Sequence, residues 1–266
     1  MRPAATITVL TTVALFTSCV SIQKAASTAD ADLAIARVTI VDVERGRLLR
    51  DQSILVKGDR IVAVASSSAG LPGNARVVDG SGKYVIPGLW DMHAHIGATA
   101  NPLLLEMPLF TAHGVTGIRV MGAPRDLPTF ARLRQLQTAT ASGGLIGPRI
   151  LLLSSWAVNG ESGITDSMPA YWKARTREEG AELARYLKQS GYDFIKIYNN
   201  LSREGYLGLT AEARRLNLPF AGHEPSSLSA IELSNAGQKS LEHSRIFLFN
   251  CFPGADSLQK RLLPFA

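Results

Sequence analysis

Histidine is the residue type of this sequence whose positions most suggest chemistry. Four of the five histidines lie at or next to the carboxyl ends of predicted strands: His93, His95, His223 and His243. Strand side chains alternate, so His93 and His95 project from one face and could bind the same metal ion. A single buried histidine is more often satisfied by a hydrogen bond, so the metal prediction depends on the four together. The fifth, His113, precedes a turn glycine and is predicted not to be a ligand.

Lys196 is the second residue with a chemically unusual position. It shares one face of a predicted strand with Phe194 and Tyr198, and the opposite face is apolar as well. Because parallel strands are buried on both faces, an unpaired ammonium there would cost several kcal/mol. Three outcomes stay open: a salt bridge to a carboxylate such as Asp193 or Glu224, a neutral reactive amine, or a carbamate that bridges two metals.

The elements that must position these residues follow two patterns. From Leu33 to Val85, short strands separated by glycine and proline turns predict a small all-β unit. After Pro87, apolar strands alternate with amphipathic helices, which predicts βα units and parallel pairing. No dinucleotide glycine fingerprint follows the first of these strands, so a barrel is favoured over a doubly wound sheet. The predicted strands are Leu89 to His95, Val115 to Met121, Arg149 to Leu153, Phe194 to Tyr198, Pro219 to His223 and Ser240 to His243.

Two helices carry boundary signals of their own. The segment from Thr176 to Gln189 has helical apolar spacing and is followed by Gly191 as a stop. Ser229 and Glu232 match a capping box, and Gly237 is predicted to end that helix.

Composition limits the possible classes of protein. A chain of 266 residues with 46% hydrophobic and 19% charged positions is globular and can bury a sizeable core. The net charge of +6 is scattered, so no nucleic-acid partner is expected. The two cysteines, Cys19 and Cys251, lie too far apart in sequence and context for a disulfide framework or a cysteine zinc cluster. Any metal must therefore be bound by histidine, lysine and carboxylates.

The N-terminus predicts export. Residues 1–29 contain an apolar run from Ala4 to Phe16, which is too short to span a bilayer but suits a signal peptide. The segment from Leu15 to Cys19 resembles a bacterial lipobox, in which Cys19 would be lipidated and attach the protein to a membrane. Cleavage after Ala29 would give a soluble exported protein instead, and a weakly apolar N-terminus without a signal is the third alternative. The expected location is the bacterial periplasm, either in solution or as a membrane-anchored lipoprotein.

Four segments together resemble the metal-dependent amidohydrolase superfamily, in particular its imidazolonepropionase-like and Xaa-Pro dipeptidase-like subgroup. They are, in chain order, Val85 to His95, Phe194 to Tyr198, Gly222 to Pro225 and Gly237 to His243. The resemblance runs from about Leu33 to the C-terminus. It implies an α/β fold, a (β/α)8-type TIM barrel preceded by a small β-sandwich part, with the site at the carboxyl ends of the barrel strands. The implied domains are the signal at 1–29, the β-sandwich part at 30–85 and a partial barrel at 86–266.

The resemblance also implies a site for two divalent metal ions, with zinc as the expected metal. His93 and His95 would bind one ion, and His223 and His243 the other. Lys196, carboxylated by carbon dioxide, would bridge them. A metal-activated hydroxide would then hydrolyse a C–N bond in a small amide, cyclic amide or dipeptide.

Two further residues near the implied ligands have open roles. Asp91 lies on the same strand face as His93 and would either orient that ligand or serve a structural role. Tyr198 lies one strand step beyond Lys196 and would either face the substrate or pack at the barrel rim.

The sequence departs from the family pattern towards its C-terminus. The family carries a metal-binding, proton-shuttling aspartate at the end of the eighth strand, and after His243 only Asp256 remains, so no catalytic residue is identified. Roughly 180 residues follow Tyr84, enough for about six βα units, whereas a whole barrel takes about 250. We therefore expect a truncated chain with an incomplete barrel. The alternative function is a catalytically incomplete fragment that binds metal without turnover. A smaller departure follows Arg119, where relatives usually have an acidic residue.

Overall fold

The computed structural model describes residues 30–96, 105–125, 127–160 and 172–244, together with Gly254, Ser257 and Arg261. The predicted signal at 1–29 lies outside the described residues, and so do Cys19, Cys251 and Asp256. Within the described ranges, no helix combines the length and the apolar character of a membrane span. The chain divides into two compact units, with the boundary between Pro87 and Gly88.

The first unit contains a five-stranded mixed sheet. Its strands are β1 (Leu33–Asp42), β2 (Arg47–Lys57), β3 (Arg60–Ser66), β4 (Arg76–Asp79) and β5 (Tyr84–Val85). The central strand β1 pairs antiparallel with β2 and parallel with β4 and β5, and β2 pairs antiparallel with β3. Its small core contains Ala34, Leu55 and Ala65. The described residues of this unit form one sheet, so they do not include the second layer that a sandwich requires.

The second unit alternates strands and helices. Its strands are β6 (Leu89–Ala94), β7 (Val115–Val120), β8 (Arg149–Leu153), β9 (Val158–Asn159), β10 (Trp172–Lys173), β11 (Ile195–Ile197) and β12 (Phe220–Gly222). Its helices are α1 (Glu106–Ala112), α2 (Leu127–Ala141), α3 (Arg177–Gln189), α4 (Arg203–Arg215) and α5 (Ala230–Ala236). Among the described residues of this unit, the paired strands all run parallel. The predicted α/β class with parallel strands is confirmed.

The strands of this unit form two sheets joined by one isolated bridge. One sheet has the order β6-β7-β8 and the other β10-β9-β11-β12. A parallel bridge between Ser154 and Phe194 connects the end of β8 to the start of β11. The strand predicted at Ser240 to His243 is reduced to one bridge, between Leu241 and Gly222. The physical reason is local: His243 has a φ of +67°, which turns the backbone out of the extended conformation.

Apolar helix faces cover this sheet arrangement and fix the strand ends. Side chains from the strands, such as Ile118 and Ile197, share a core with Leu187 of α3 and Leu209 of α4. The predicted helix boundaries are confirmed: Thr176 caps α3, and α5 has both hydrogen bonds of the capping box before it ends at Gly237. These caps fix the N-terminal ends of the helices. They therefore also hold the loops that connect the strand ends to those helices.

Candidate metal centre

Imidazole and amine nitrogens from separate segments converge at the carboxyl ends of the parallel strands. His93 belongs to β6, Lys196 to β11, His223 directly follows β12, and His243 follows the bridge to β12. One ligand atom from each of His93, His223 and His243 lies within 4.8 Å of the other two. Lys196 Nζ lies 3.0 Å from His93 Nε2, and the Nε2 atoms of His223 and His243 lie 3.1 Å apart. These nitrogens therefore occupy a volume comparable to a metal coordination sphere.

His95 lies beside this cluster, just beyond the end of β6. Its ring centroid is 5.3 Å from that of His93, and its side chain lines the same pocket. Burial lowers the pKa of His95, and the nearby positive charge of Lys196 lowers it further. A low pKa favours the neutral imidazole, which is the form that binds metals.

Lys196 is almost completely buried, with 2% of its surface exposed. Burial lowers its pKa to about 7; the carboxylate of Glu242 opposes this shift and the guanidinium of Arg119 adds to it. Asp193, one of the expected salt-bridge partners, is instead bound by Arg134 at 2.7 Å. A pKa near 7 leaves a large share of the amine neutral at neutral pH, which is the reactive form.

Two hydrogen bonds determine which ring nitrogen faces the centre. His93 Nδ1 lies 2.9 Å from Oε2 of Glu242, and His223 Nδ1 lies 2.5 Å from Oδ1 of Asn199. Because these oxygens accept hydrogen bonds, a neutral ring in either position would carry its hydrogen on Nδ1 and keep the lone pair of Nε2. The Nε2 lone pairs face the Lys196 amine and the His243 ring, respectively. This is the tautomer that a metal site bound through Nε2 requires.

The other residues considered in the sequence analysis lie beside the cluster or away from it. Asp91 Oδ1 accepts a hydrogen bond from the His93 backbone N–H at 2.9 Å, so it holds the main chain of that residue. The Tyr198 ring lies 4.5 Å from the His223 ring and lines the pocket. His113 lies away from the cluster at the end of α1, where its Nδ1 is 2.9 Å from the carbonyl oxygen of Leu109.

Sequence reasoning missed three residues that contact the cluster or its partners. The sequence patterns do not single out Glu242 or Asn199, and at Arg119 they indicate only the residue that follows it. Arg119 lies in β7 with 8% of its surface exposed and donates to Oε1 of Glu242 at 2.7 Å. A charged residue within a buried apolar strand was the available signal, since it requires a partner just as Lys196 does.

The backbone around the site adopts conformations that most residues avoid. His243 has a φ of +67°, in the left-handed region that is uncommon for non-glycine residues and recurs at functional sites. Gly222 has a φ of +137°, and a Cβ there would lie 2.3 Å from the carbonyl oxygen of Ile197. Only glycine therefore lets β12 approach β11 at the residue before His223.

A pocket of about 610 Å³ is formed by the cluster and the residues beside it. Its remaining described walls are largely apolar and aromatic: Met121, Gly122, Trp156, Ala157 and Tyr198. This volume falls in the range of small-molecule sites, and the convergent nitrogens provide a polar region among apolar walls.

The nitrogen donors of this site, imidazoles plus a buried amine, fit divalent zinc better than calcium or magnesium, which prefer oxygen ligands.

Comparisons with known proteins find relatives whose names are those of hydrolases or deaminases. An imidazolonepropionase from Alkaliphilus metalliredigens is 40% identical over 73 residues, which cover 25% of this chain and 17% of the relative. Adenine deaminase 2 from Latilactobacillus sakei is 30% identical over 122 residues, which cover 46% of this chain and 20% of the relative. The crystal structure of a candidate prolidase from Bifidobacterium longum matches with a TM-score of 0.66 and 27% identity, covering 79% of this chain and 54% of that one.

These matches are partial in length. The chain spans a fifth or less of the two curated relatives and about half of the Bifidobacterium longum protein. A prolidase complexed with N-methylphosphonate-L-proline matches with a TM-score of 0.62 at 21% identity, a likeness of fold. No protein-family model matches the chain.

Proposed function

We propose that this chain, which is similar in sequence and fold to proteins of the amidohydrolase superfamily, carries the metal-binding part of a hydrolase for carbon–nitrogen bonds in small molecules. The observation that supports this most directly is the convergence of Lys196 with His93, His223 and His243 at the strand ends. The relatives named imidazolonepropionase, adenine deaminase and prolidase agree with this class of reaction.

The residues present can be assigned to two metal ions. His93 and His95 would hold one, His223 and His243 the other, with carboxylated Lys196 between them. Bound zinc would polarise the scissile carbonyl and lower the pKa of water towards neutrality. The hydrogen bonds from His93 and His223 to Glu242 and Asn199 keep the Nε2 lone pairs directed into the site.

The burial of Lys196 and its lowered pKa support the proposal that this residue is carboxylated. The neutral amine nitrogen would attack the carbon of carbon dioxide, one C=O electron pair would move to oxygen, and one N–H proton would leave to solvent. The product is a carbamate with one negative charge and two oxygen donors. It would replace a group that is costly to bury as a cation with an anion that metals stabilise.

The pocket walls indicate the substrate group next to the scissile bond. Trp156, Tyr198 and Met121 offer aromatic and apolar surface, and Lys196 is the only lysine or arginine among the described lining residues. We infer that an uncharged, apolar or aromatic substituent lies against these walls. A neutral cyclic amide or an apolar dipeptide fits that description.

Metal analysis of the purified protein tests this function. We expect about two zinc ions per chain after growth with zinc, and loss of the ion assigned to His223 and His243 in the double variant His223→Asn/His243→Asn. His113→Asn is the matched control, because that histidine bonds to the end of α1 and should leave the zinc content unchanged. Wild-type protein without bound zinc would contradict the proposal. Zinc binding without hydrolysis of any amide or dipeptide in a broad panel would assign the alternative, a metal-binding fragment.

We also propose that the chain is exported, with Cys19 as the lipidation site. The apolar run from Ala4 to Phe16 and the segment ending at Cys19 support this. Mass spectrometry of protein from a bacterial host, with and without globomycin, should show a lipid-modified Cys19. An unprocessed N-terminus in the untreated host would contradict export.

A further inference from the structure

Glu242 occupies a partly buried position between three elements of the second unit, with 10% of its side chain exposed. Its Oε2 lies 2.9 Å from Nδ1 of His93. Its Oε1 accepts hydrogen bonds from Nη2 of Arg119 at 2.7 Å and from Oγ of Ser240 at 2.5 Å. Its backbone N–H donates to the carbonyl oxygen of Gly222 at 3.0 Å. The carboxylate thus has donors on both oxygens, and its main chain is fixed to β12.

Arg119 connects the same carboxylate to the backbone beside His93. Its Nε donates to the carbonyl oxygen of Met92 at 2.6 Å, while its Nη2 donates to Glu242. His93 is therefore held from two directions: through its ring by Glu242, and through the preceding carbonyl by Arg119. A simple buried ion pair would account for the Arg119 contact, but it would not require the second carboxylate oxygen to face an imidazole nitrogen.

We propose that Glu242 is a positioning residue that fixes the tautomer and ring orientation of His93, with Arg119 holding the carboxylate in place. The carboxylate accepts the Nδ1 hydrogen and leaves the Nε2 lone pair directed at the centre. Because Glu242 immediately precedes His243, the same residue also ties the positions of two predicted ligands together. The tautomer part stands on the geometry alone, and the consequence for metal binding rests on the proposed function.

Glu242→Gln is the sharpest variant because it keeps the size of the side chain. A carboxylate can accept from His93, Arg119 and Ser240 together, whereas an amide has one oxygen and one nitrogen donor. In the variant, at least one of the three hydrogen-bond donors must therefore face the NH2 group. We expect either His93 or Arg119 to lose its partner.

The test is carried out on metal-free protein with 15N-labelled histidine at pH 8. In the wild type we expect His93 to carry its hydrogen on Nδ1, and in Glu242→Gln we expect a mixture or a change to Nε2. Zinc affinity, measured by competition with a chelator, should fall by about 10- to 100-fold. Asp193→Asn is the matched control, since it disrupts another arginine–carboxylate pair and should change neither His93 nor zinc affinity.

The outcomes separate this inference from the proposed function. If the wild type binds no zinc, the metal function fails, and the His93 tautomer still decides the role of Glu242. If His93 keeps the hydrogen on Nδ1 and zinc affinity is unchanged in Glu242→Gln, the positioning role is overturned. Should Glu242→Gln not fold, Arg119→Lys replaces it: loss of the forked donor should weaken the hold on Glu242 and shift the His93 tautomer, and an unchanged tautomer would overturn the proposal.

Discussion

At the scale of single residues, Lys196 shows how burial changes chemistry. Its neighbours Ile195 and Ile197 are fully buried on the other face of β11, and its amine contacts an imidazole nitrogen at 3.0 Å. A permanent ammonium would be poorly stabilised beside other donors in this environment. The lowered pKa of about 7 follows from that burial. This burial and lowered pKa are what support the proposed carboxylation of Lys196.

Carboxylation of Lys196 can be observed directly. In protein prepared with zinc and 13C-bicarbonate, we expect one carbamate carbon signal that disappears in Lys196→Gln. Zinc retention should fall in the same variant, because the proposed carbamate oxygens could no longer form. Lys188→Gln is the control, since Lys188 is exposed on α3 and should leave the signal intact. A signal that persists in Lys196→Gln would place the carbamate elsewhere.

The sequence predicted the clustered residues better than it predicted their partners. Histidines and a lysine at apolar strand ends are visible as local patterns, and the structure brings His93, Lys196, His223 and His243 together. Glu242 lies within a segment predicted as a strand, and Asn199 directly follows another. Their significance lies in contacts with residues distant in sequence, which neither alternation nor helical spacing encodes.

At the scale of elements, the approach of β12 to β11 depends on Gly222. The register pairs Ile197 with Gly222, directly before His223. We expect Gly222→Ala to lower the free energy of unfolding by more than about 1 kcal/mol, because its Cβ would lie 2.3 Å from a backbone oxygen. Zinc affinity should fall as well, since His223 moves with the strand. Chemical denaturation and chelator competition measure the two effects.

Gly191→Ala is the control for the Gly222 variant. Gly191 also has a positive φ, +83°, but a Cβ there would meet nothing within 4 Å. It should reproduce the backbone cost without the collision, and it should leave zinc affinity unchanged. Equal losses of stability in the two variants would mean that the close strand approach contributes nothing.

The capping box of α5 gives a prediction about pH. The pKa of Glu232 falls from its usual 4.5 to about 2, mainly because Arg203 and the Ser229 backbone donate to its carboxylate. A depressed pKa in the folded state contributes stability above about pH 4.5, and this contribution is lost as the pH falls towards 2. Thermal melts between pH 5 and 2 should therefore show a weaker pH dependence in Glu232→Gln. Glu182→Gln, at an exposed position of α3 outside any cap, should keep the wild-type dependence.

Element predictions succeeded where the signals were local and failed where pairing decided the outcome. The capping box of Ser229 and the end of α5 at Gly237 depend on a few adjacent residues. The short strands β9 and β10 were not predicted, because two residues carry no periodicity and form only where a neighbouring strand supplies hydrogen bonds. The segment from Ser240 to His243 was predicted as a strand, but positive φ values at His243 and Ser244 limit it to one bridge.

At the scale of the whole molecule, the second unit should depend on metal for part of its stability. The predicted ligands lie on β6 and β11 and directly after β12, so a bound ion would connect elements that are far apart in sequence. Free zinc at about 100 times its dissociation constant should stabilise the fold by about 2.7 kcal/mol. We expect the melting temperature to rise with zinc and to fall with chelator. The shift should become smaller in His223→Asn/His243→Asn, which loses one of the two proposed metal-binding pairs, and persist unchanged in His113→Asn.

The overall architecture was predictable only in its class. Alternating strands and helices after Pro87 indicate parallel pairing, which the structure contains. The order in which sheets connect was not predictable, since the bridge between Ser154 and Phe194 joins two sheets through one residue on each side. Hydrophobic patterns specify which strand faces are buried, but they do not specify which strands become neighbours at the edges of two sheets.

The order of the ligands along the chain has a consequence for protein synthesis. His93 emerges from the ribosome long before Lys196 and His223, and His243 comes last, yet their side chains share one small volume. A nascent chain that ends before His243 lacks one of the proposed metal-binding residues, so it could bind an ion only through an incomplete set. Tight zinc binding would then become possible only after the ribosome has translated codon 243 and the chain has folded.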